Sequence, residues 1–231
     1  MGQDARAGQI RRMFDEIAPR YDARNRLFSV DRDRAWRRRA ARRAGLRPGQ
    51  TALDLCTGTG RLAHELVPFV RPGGHVTGID FSTSMLGLAQ TREPQVEFRQ
   101  GDVSRLSDAD ASVDAVTIGF GLRNLVDREG SLREMYRVLR PGGRLVILEL
   151  APPRGALLRG YRFYLDRVMP LVAGLFSRVD GNAYRYLAES VEGFPTPAAL
   201  AAVLAGIGFK PVIVERMTFG IVALHIATRP G

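Results

Sequence analysis

Cysteine is nearly absent: the 231 residues include one, Cys56. No disulfide framework can therefore hold the fold, and a reducing, cytoplasmic setting is expected. Long apolar runs are missing too. Nothing approaches the roughly 20 residues of a membrane-spanning helix, and residues 1–20 carry charges where a signal peptide needs an apolar stretch, so the chain is expected to be soluble. Of the three histidines, His64 and His75 have no clustered cysteines or carboxylates at metal-ligand spacing, which argues against a metal site. Gly 25 and Pro 13 fall without a period, which excludes collagen-like and low-complexity classes, and 45% hydrophobic residues exclude disorder as the main state. The length predicts one domain over 1–231.

Lysine is scarce as well: Lys210 is the one lysine among 34 basic residues, against 24 acidic ones. Nearly all the surplus sits in the first fifth, where residues 1–47 hold fourteen Arg and six acids, or +8. Two readings of Asp31–Arg43 stand side by side. One is a solvated helix face with i,i+4 acid/base pairs. The other is a surface for an anionic partner, nucleic acid or phospholipid, with Trp36 suited to a membrane interface.

Residues 1–48 read as a polar helical segment closed by the Arg47-Pro-Gly-Gln50 turn. From Thr51 the pattern changes to strand, glycine turn, helix, and repeats. Strands are predicted at 51–56, 75–80, 96–102, 114–120 and 144–150, with Ser82 capping the second helix and turns at Arg71–Gly74 and Arg140–Gly143. Residues 154–194, rich in Tyr and Phe, interrupt the rhythm and are read as an inserted helical lid. A helix at 197–206 and strands at 211–215 and 222–227 return the chain to the sheet, with Phe219-Gly220 letting the last two pair antiparallel. The whole is an α/β, Rossmann-like fold with a seven-stranded, mostly parallel sheet.

Such a sheet binds ligands at the carboxyl ends of its strands. There the sequence puts Asp54 and the turn Gly58-Thr59-Gly60, then Asp80 for a ribose diol. Asp102 is placed for an adenine amino group, with Val103 to cover a ring face, and Gly119 opens over the same cleft. A glycine turn followed by an acid also serves dinucleotides; here Ala63 takes the third glycine position, and Asp54 and Asp102 are the distinguishing additions.

In this order Asp54-Leu-x-x-Gly-Thr-Gly, Asp80 and Gly101-Asp102 resemble the S-adenosylmethionine site of class I methyltransferases. Tyr21-Asp22-x-x-Asn25-x-x-Phe28-Ser29 with Trp36, Thr117–Asn124, Tyr136–Arg144 with Glu149, Tyr184-x-Tyr-Leu-x-Glu-Ser190 and Gly220–His225 are similar to signatures of the UbiE/MenG C-methyltransferases, which methylate polyprenyl quinols. The likeness runs from about residue 11 to 227. It implies S-adenosyl-L-methionine as cofactor, a polyprenyl quinol as acceptor, docking of a cytoplasmic enzyme on the anionic inner face of the membrane, and no nucleic-acid partner; a homodimer stays open. Arg123 and Asn124 are the candidate catalytic groups, with His225 and Tyr186 as partners. Arginine is a poor base, so its expected role is to stabilise a phenolate or position a water. Arg24 stands where the family pattern has Met, Asp33 where it has His and Ala151 where it has Ser; the first two lie in the substrate-facing segment and bear on the acceptor. Two rivals are an enzyme acting on another phenol or on RNA, and a non-catalytic nucleotide-sensing or nucleic-acid-binding domain.

Overall fold

The computed structural model describes residues 3–29, 31–151, 186–187 and 189–231. Most of the lid predicted at 154–194, with Tyr184, lies outside these residues, as do the side chains of Arg24, Asn25 and Phe28. The N-terminal segment forms α1 (Gln3–Ser29) and α2 (Arg32–Arg43), separated at Asp31, whose φ of 57° breaks the helix. There follow β1 (Thr51–Leu55), α3 (Arg61–Val70), β2 (His75–Asp80), α4 (Thr83–Arg92), β3 (Glu97–Gln100) and β4 (Val113–Gly119). A 3-10 turn (Leu122–Asn124) leads to α5 (Arg128–Val138) and β5 (Leu139–Leu150), and the chain ends with α6 (Pro197–Ile207), β6 (Val212–Met217) and β7 (Val222–Thr228).

Local chemistry explains where the helices start. Ser82 Oγ accepts from Met85 N at 3.1 Å, Asp127 Oδ1 from Gly130 N at 2.9 Å and Thr196 Oγ1 from Ala199 N at 3.2 Å, each satisfying an N–H that the first turn leaves without a partner. Pro197 follows its cap at the first helical position, where a missing N–H costs nothing.

The seven strands run in the order β3-β2-β1-β4-β5-β7-β6, with β7 antiparallel to both neighbours. This is the predicted mostly parallel sheet. The strand order reverses between β1 and β4, and the register brings Leu55 beside both Ile79 and Ile118, so the ends of β1, β2 and β4 share one level. Each face has its own core. Trp36, Ala40, Leu66 and Val70 from α2 and α3 pack on one side, and Leu132, Met135, Leu200, Leu204 and Phe209 on the other.

The Arg140–Gly143 stretch differs from its prediction as a turn. It belongs to β5, because Gly142 N donates to Arg229 O at 2.8 Å and Arg229 N to Gly143 O at 2.9 Å. The register against β4 slips there from Val113–Leu139 to Ala115–Arg144, making a bulge. The partner is the C-terminal end of the chain, which local turn grammar does not see.

The α2 arginines are mostly engaged. Arg34 and Arg38 pair with Glu65, and Arg39 and Arg43 with Glu215. Trp36 is 8% exposed, with Nε1 donating to Thr218 Oγ1 at 2.9 Å and its ring 6.1 Å from that of Phe120. The expectation of Trp36 as an interfacial aromatic is therefore corrected: its indole joins α2 to the β6–β7 turn. Among the described residues, no helix is long and apolar enough to cross a membrane.

Candidate active site

The carboxyl ends of β1 to β4 gather the predicted cofactor residues. Asp54 is buried within β1 and fastens the glycine loop. Thr57 Oγ1 and Thr117 Oγ1 donate to it at 2.7 Å each, and Ala63 N, in the first turn of α3, at 3.1 Å. Burial pushes its carboxyl up to about 6, against those donors. Gly58 and Gly60 take φ of 56° and 74°, the left-handed region that favours glycine. A Cβ on Gly60 would stand 3.0 Å from the Phe98 ring, whereas above Gly58 there is open space. Gly58 thus leaves room for a ligand to approach its Cα closely.

Asp80, at the end of β2, accepts from Gly58 N at 2.8 Å and from Ser82 N at 3.0 Å, and burial raises its pKa. Asp102 uses Oδ1 for Ser104 N and Oγ, both at 2.8 Å, and leaves Oδ2 open among the described residues. Val103 is 5% exposed and packs in the core, so the side-chain surface it offers a ring is small. Gly119 closes β4, where a Cβ would meet Leu62 at 3.2 Å. Thr59 is committed elsewhere: its Oγ1 donates to Asp22 at 2.8 Å and accepts from Arg92 at 2.9 Å.

Those last contacts belong to the N-terminal segment, expected to face the substrate, and show how it is fastened to the sheet. Helix α1 lies across this end of the sheet. Asp22 ties to Thr59 and Arg92, Asp15 accepts from Ser82 Oγ at 2.5 Å, and Phe14 meets Phe81 edge-on at 6.1 Å. The helix screens the glycine loop and the α4 cap from solvent. A groove of about 360 Å³ lined by Val70, Pro72, His75, Val96 and Glu97 lies at the opposite, amino ends of β2 and β3.

Beyond β4 the structure brings Arg123, Asn124 and Tyr186 together. Arg123 Nη1 donates to Glu149 Oε1 at 2.7 Å and to Phe120 O at 2.6 Å, while its backbone N donates to Glu149 Oε2 at 3.2 Å. Tyr186 Oη donates to Asn124 Oδ1 at 3.1 Å. Burial works against the Arg123 charge, yet Glu149, with Tyr21 and Tyr186, outweighs it and raises the pKa, so this arginine stays cationic. Its Nε is buried without a partner among the described residues.

His225 is not brought to this cluster. It sits inside β7 opposite Ile147, 1% exposed, with Nε2 donating to Pro197 O at 2.9 Å, and burial lowers its pKa. The ring is held under the start of α6. Asp33, one of the family departures, is also buried and forms an ion pair with Arg61. Glu149 and helix α1 are the parts of the site that reading strand ends did not find. Among the described residues, no three His, Cys, Asp or Glu side chains converge as metal ligands.

A doubly wound sheet with a final antiparallel strand, and acids within β1, at the end of β2 and just after β3 around a glycine loop, defines a class I S-adenosylmethionine-dependent methyltransferase. The open face of Gly58, the free Oδ2 of Asp102 and the buried Asp80 beside the α4 N-terminus suit a nucleoside with a diol and an exocyclic amine. A S-adenosylmethionine-dependent methyltransferase of Thermotoga maritima superposes with a TM-score of 0.68 at 18% identity, over 95% of this chain and 99% of its own. The model of the ubiE/COQ5 methyltransferase family matches residues 2–229, and the chain belongs to that family. A demethylmenaquinone methyltransferase of Thermus thermophilus is 50% identical over 94% of this chain and 100% of its own. A ubiquinone/menaquinone biosynthesis C-methyltransferase UbiE of Geotalea daltonii is 42% identical, over 94% of each chain. The protein is an S-adenosylmethionine-dependent methyltransferase.

Proposed function

We propose that the protein methylates a ring carbon of a polyprenyl quinol, with demethylmenaquinol as the acceptor. Methyltransfer in the quinone pathway follows from the family and from the relatives just described. The choice of acceptor is supported by the Thermus likeness and, in the site, by one observation: a buried, permanently charged Arg123 held by Glu149 and flanked by Asn124 and Tyr186. When bound, the cofactor supplies an electrophilic methyl on sulfur. The residues of this chain prepare the acceptor.

A quinol carbon becomes nucleophilic when the neighbouring phenol, of pKa roughly 10, loses its proton. A fixed guanidinium beside that oxygen stabilises the anion before the methyl arrives, and needs no reorganisation because Glu149 and Phe120 O already orient it. Arg123 cannot take the proton itself, which passes to water. As the carbon–methyl bond forms and the sulfur–methyl bond breaks, the hydrogen on the methylated ring carbon would leave as a proton through water and the phenol oxygen would regain one, which restores the aromatic quinol. Asn124 and Tyr186 position the ring, Asp80 and Asp102 hold the adenosyl group, and α1 excludes solvent.

Access to a lipid-borne quinol implies peripheral docking on an anionic membrane from the cytoplasmic side. With Trp36 buried, the aromatic that supports this reading is Phe219, 81% exposed in the turn between β6 and β7. Thr218 of that turn is bonded to Trp36, which places Phe219 beside arginine-rich α2. Mass analysis of quinones in a deletion strain tests the acceptor. Accumulation of demethylmenaquinone that the wild-type gene reverses is expected; an unchanged quinone pool would refute it.

A further inference from the structure

Arg37 is 7% exposed, and its Nη1 has no hydrogen-bond partner among the described residues. Asp33, one turn earlier, does not serve. Its Oδ2 is 4.0 Å away and taken by Arg61, while its Oδ1 accepts from Ser29 Oγ at 3.2 Å. Buried N–H groups are almost always satisfied, and a charged one more strictly than a neutral one. The guanidinium lies 5.1 Å over the ring of Phe120, the residue that follows β4, within electrostatic reach of Tyr21, Asp33, Arg61 and Asp54.

The direction of the cofactor says what arrives there, and this step rests on the adenosyl placement given above. Asp102 follows β3 and Asp80 ends β2, so an adenosyl group held on them would have its remaining arm on the side of β1 and β4. That arm is an α-amino acid, a zwitterion that needs a cation for its carboxylate. Arg61 is paired with Asp33, and the charge of Arg123, although its Nε is bare among the described residues, is neutralised by Glu149. We propose that Arg37 Nη1 receives the α-carboxylate of S-adenosylmethionine, making α2 part of the cofactor site. The bare donor is then satisfied when the ligand is bound, and the anion gains a charge-assisted hydrogen bond in a dry setting.

Calorimetry on the full chain separates this role from a structural one, using S-adenosylhomocysteine and 5′-methylthioadenosine, which lacks the amino-acid arm. Arg37→Met should weaken S-adenosylhomocysteine by about tenfold or more and leave methylthioadenosine within about twofold. Arg37→Lys, which keeps the charge, should lie between. Unchanged S-adenosylhomocysteine affinity would overturn the proposal, as would equal loss of both ligands in Arg37→Lys. No acceptor enters the measurement, so its failure is distinct from failure of the quinol reading.

Discussion

Asp54 makes the stability of the glycine loop depend on pH in a direction opposite to most carboxylates. Its carboxyl is held at about 6 in the folded protein, against 3.8 for a free aspartate. Between these values the folded state binds more protons than the unfolded state. Stability is therefore fully present below the unfolded pKa and is lost as pH rises through the folded one. A shift from 3.8 to about 6 corresponds to about 3 kcal/mol at neutral pH, of which about 2 kcal/mol develops between pH 4.5 and 7.5. The full burial of the group means that solvent does not discount this figure appreciably. The perturbation is Asp54→Asn, which removes the titration while keeping one acceptor for Thr57, Thr117 or Ala63. Urea unfolding of both proteins at the two pH values gives a difference of differences in which pH-independent effects cancel. Relative to the variant, the wild type should lose about 2 kcal/mol on going from pH 4.5 to 7.5. No change, or a relative gain, would mean that the three donors outweigh burial and that Asp54 is an ordinary ionised residue.

Asp80→Ala should weaken cofactor binding by roughly 1.5–3 kcal/mol in calorimetry, as expected for a lost hydrogen bond to a charged group; unchanged affinity in a folded variant would remove Asp80 from the ribose. Arg123→Met should lower turnover far more than cofactor affinity, and leaving Glu149 buried without its partner should cost about 3–5 kcal/mol of stability. Adding Glu149→Gln should recover most of that stability without recovering turnover, whereas recovered turnover would make the pair structural. Cosedimentation with anionic vesicles should fall with added salt and should weaken about tenfold or more in Phe219→Ser. Equal binding by that variant would leave the turn out of the membrane contact.

Strand ends, glycine turns and helix caps were readable because each depends on neighbours within a few residues. Ser82 caps the helix it was expected to cap, Gly58 and Gly60 take the left-handed backbone that their turn demands, and alternating strand and helix leaves few topologies open. The predicted acids accordingly lie at one end of the sheet. Arg140–Gly143 departs from the expected turn because its Pro-Gly-Gly has the local grammar of one, while its hydrogen bonds go to Arg229.

Charge could be counted along the chain but not assigned. Trp36 and Arg37 are adjacent to exposed arginines in the sequence and belong to the buried face of the same helix, a distinction made only by what packs against α2. The Arg123–Glu149 pair joins the loop after β4 to the end of β5, and Asp15 and Asp22 reach α4 and the glycine loop from a helix that precedes the sheet. Residue types and periodicity determine which elements form and which ends of them carry acids, because those forces act over a few residues. Which charges neutralise one another, and which buried donor is left for a ligand, is decided by distance through space, and only the tertiary structure sets that.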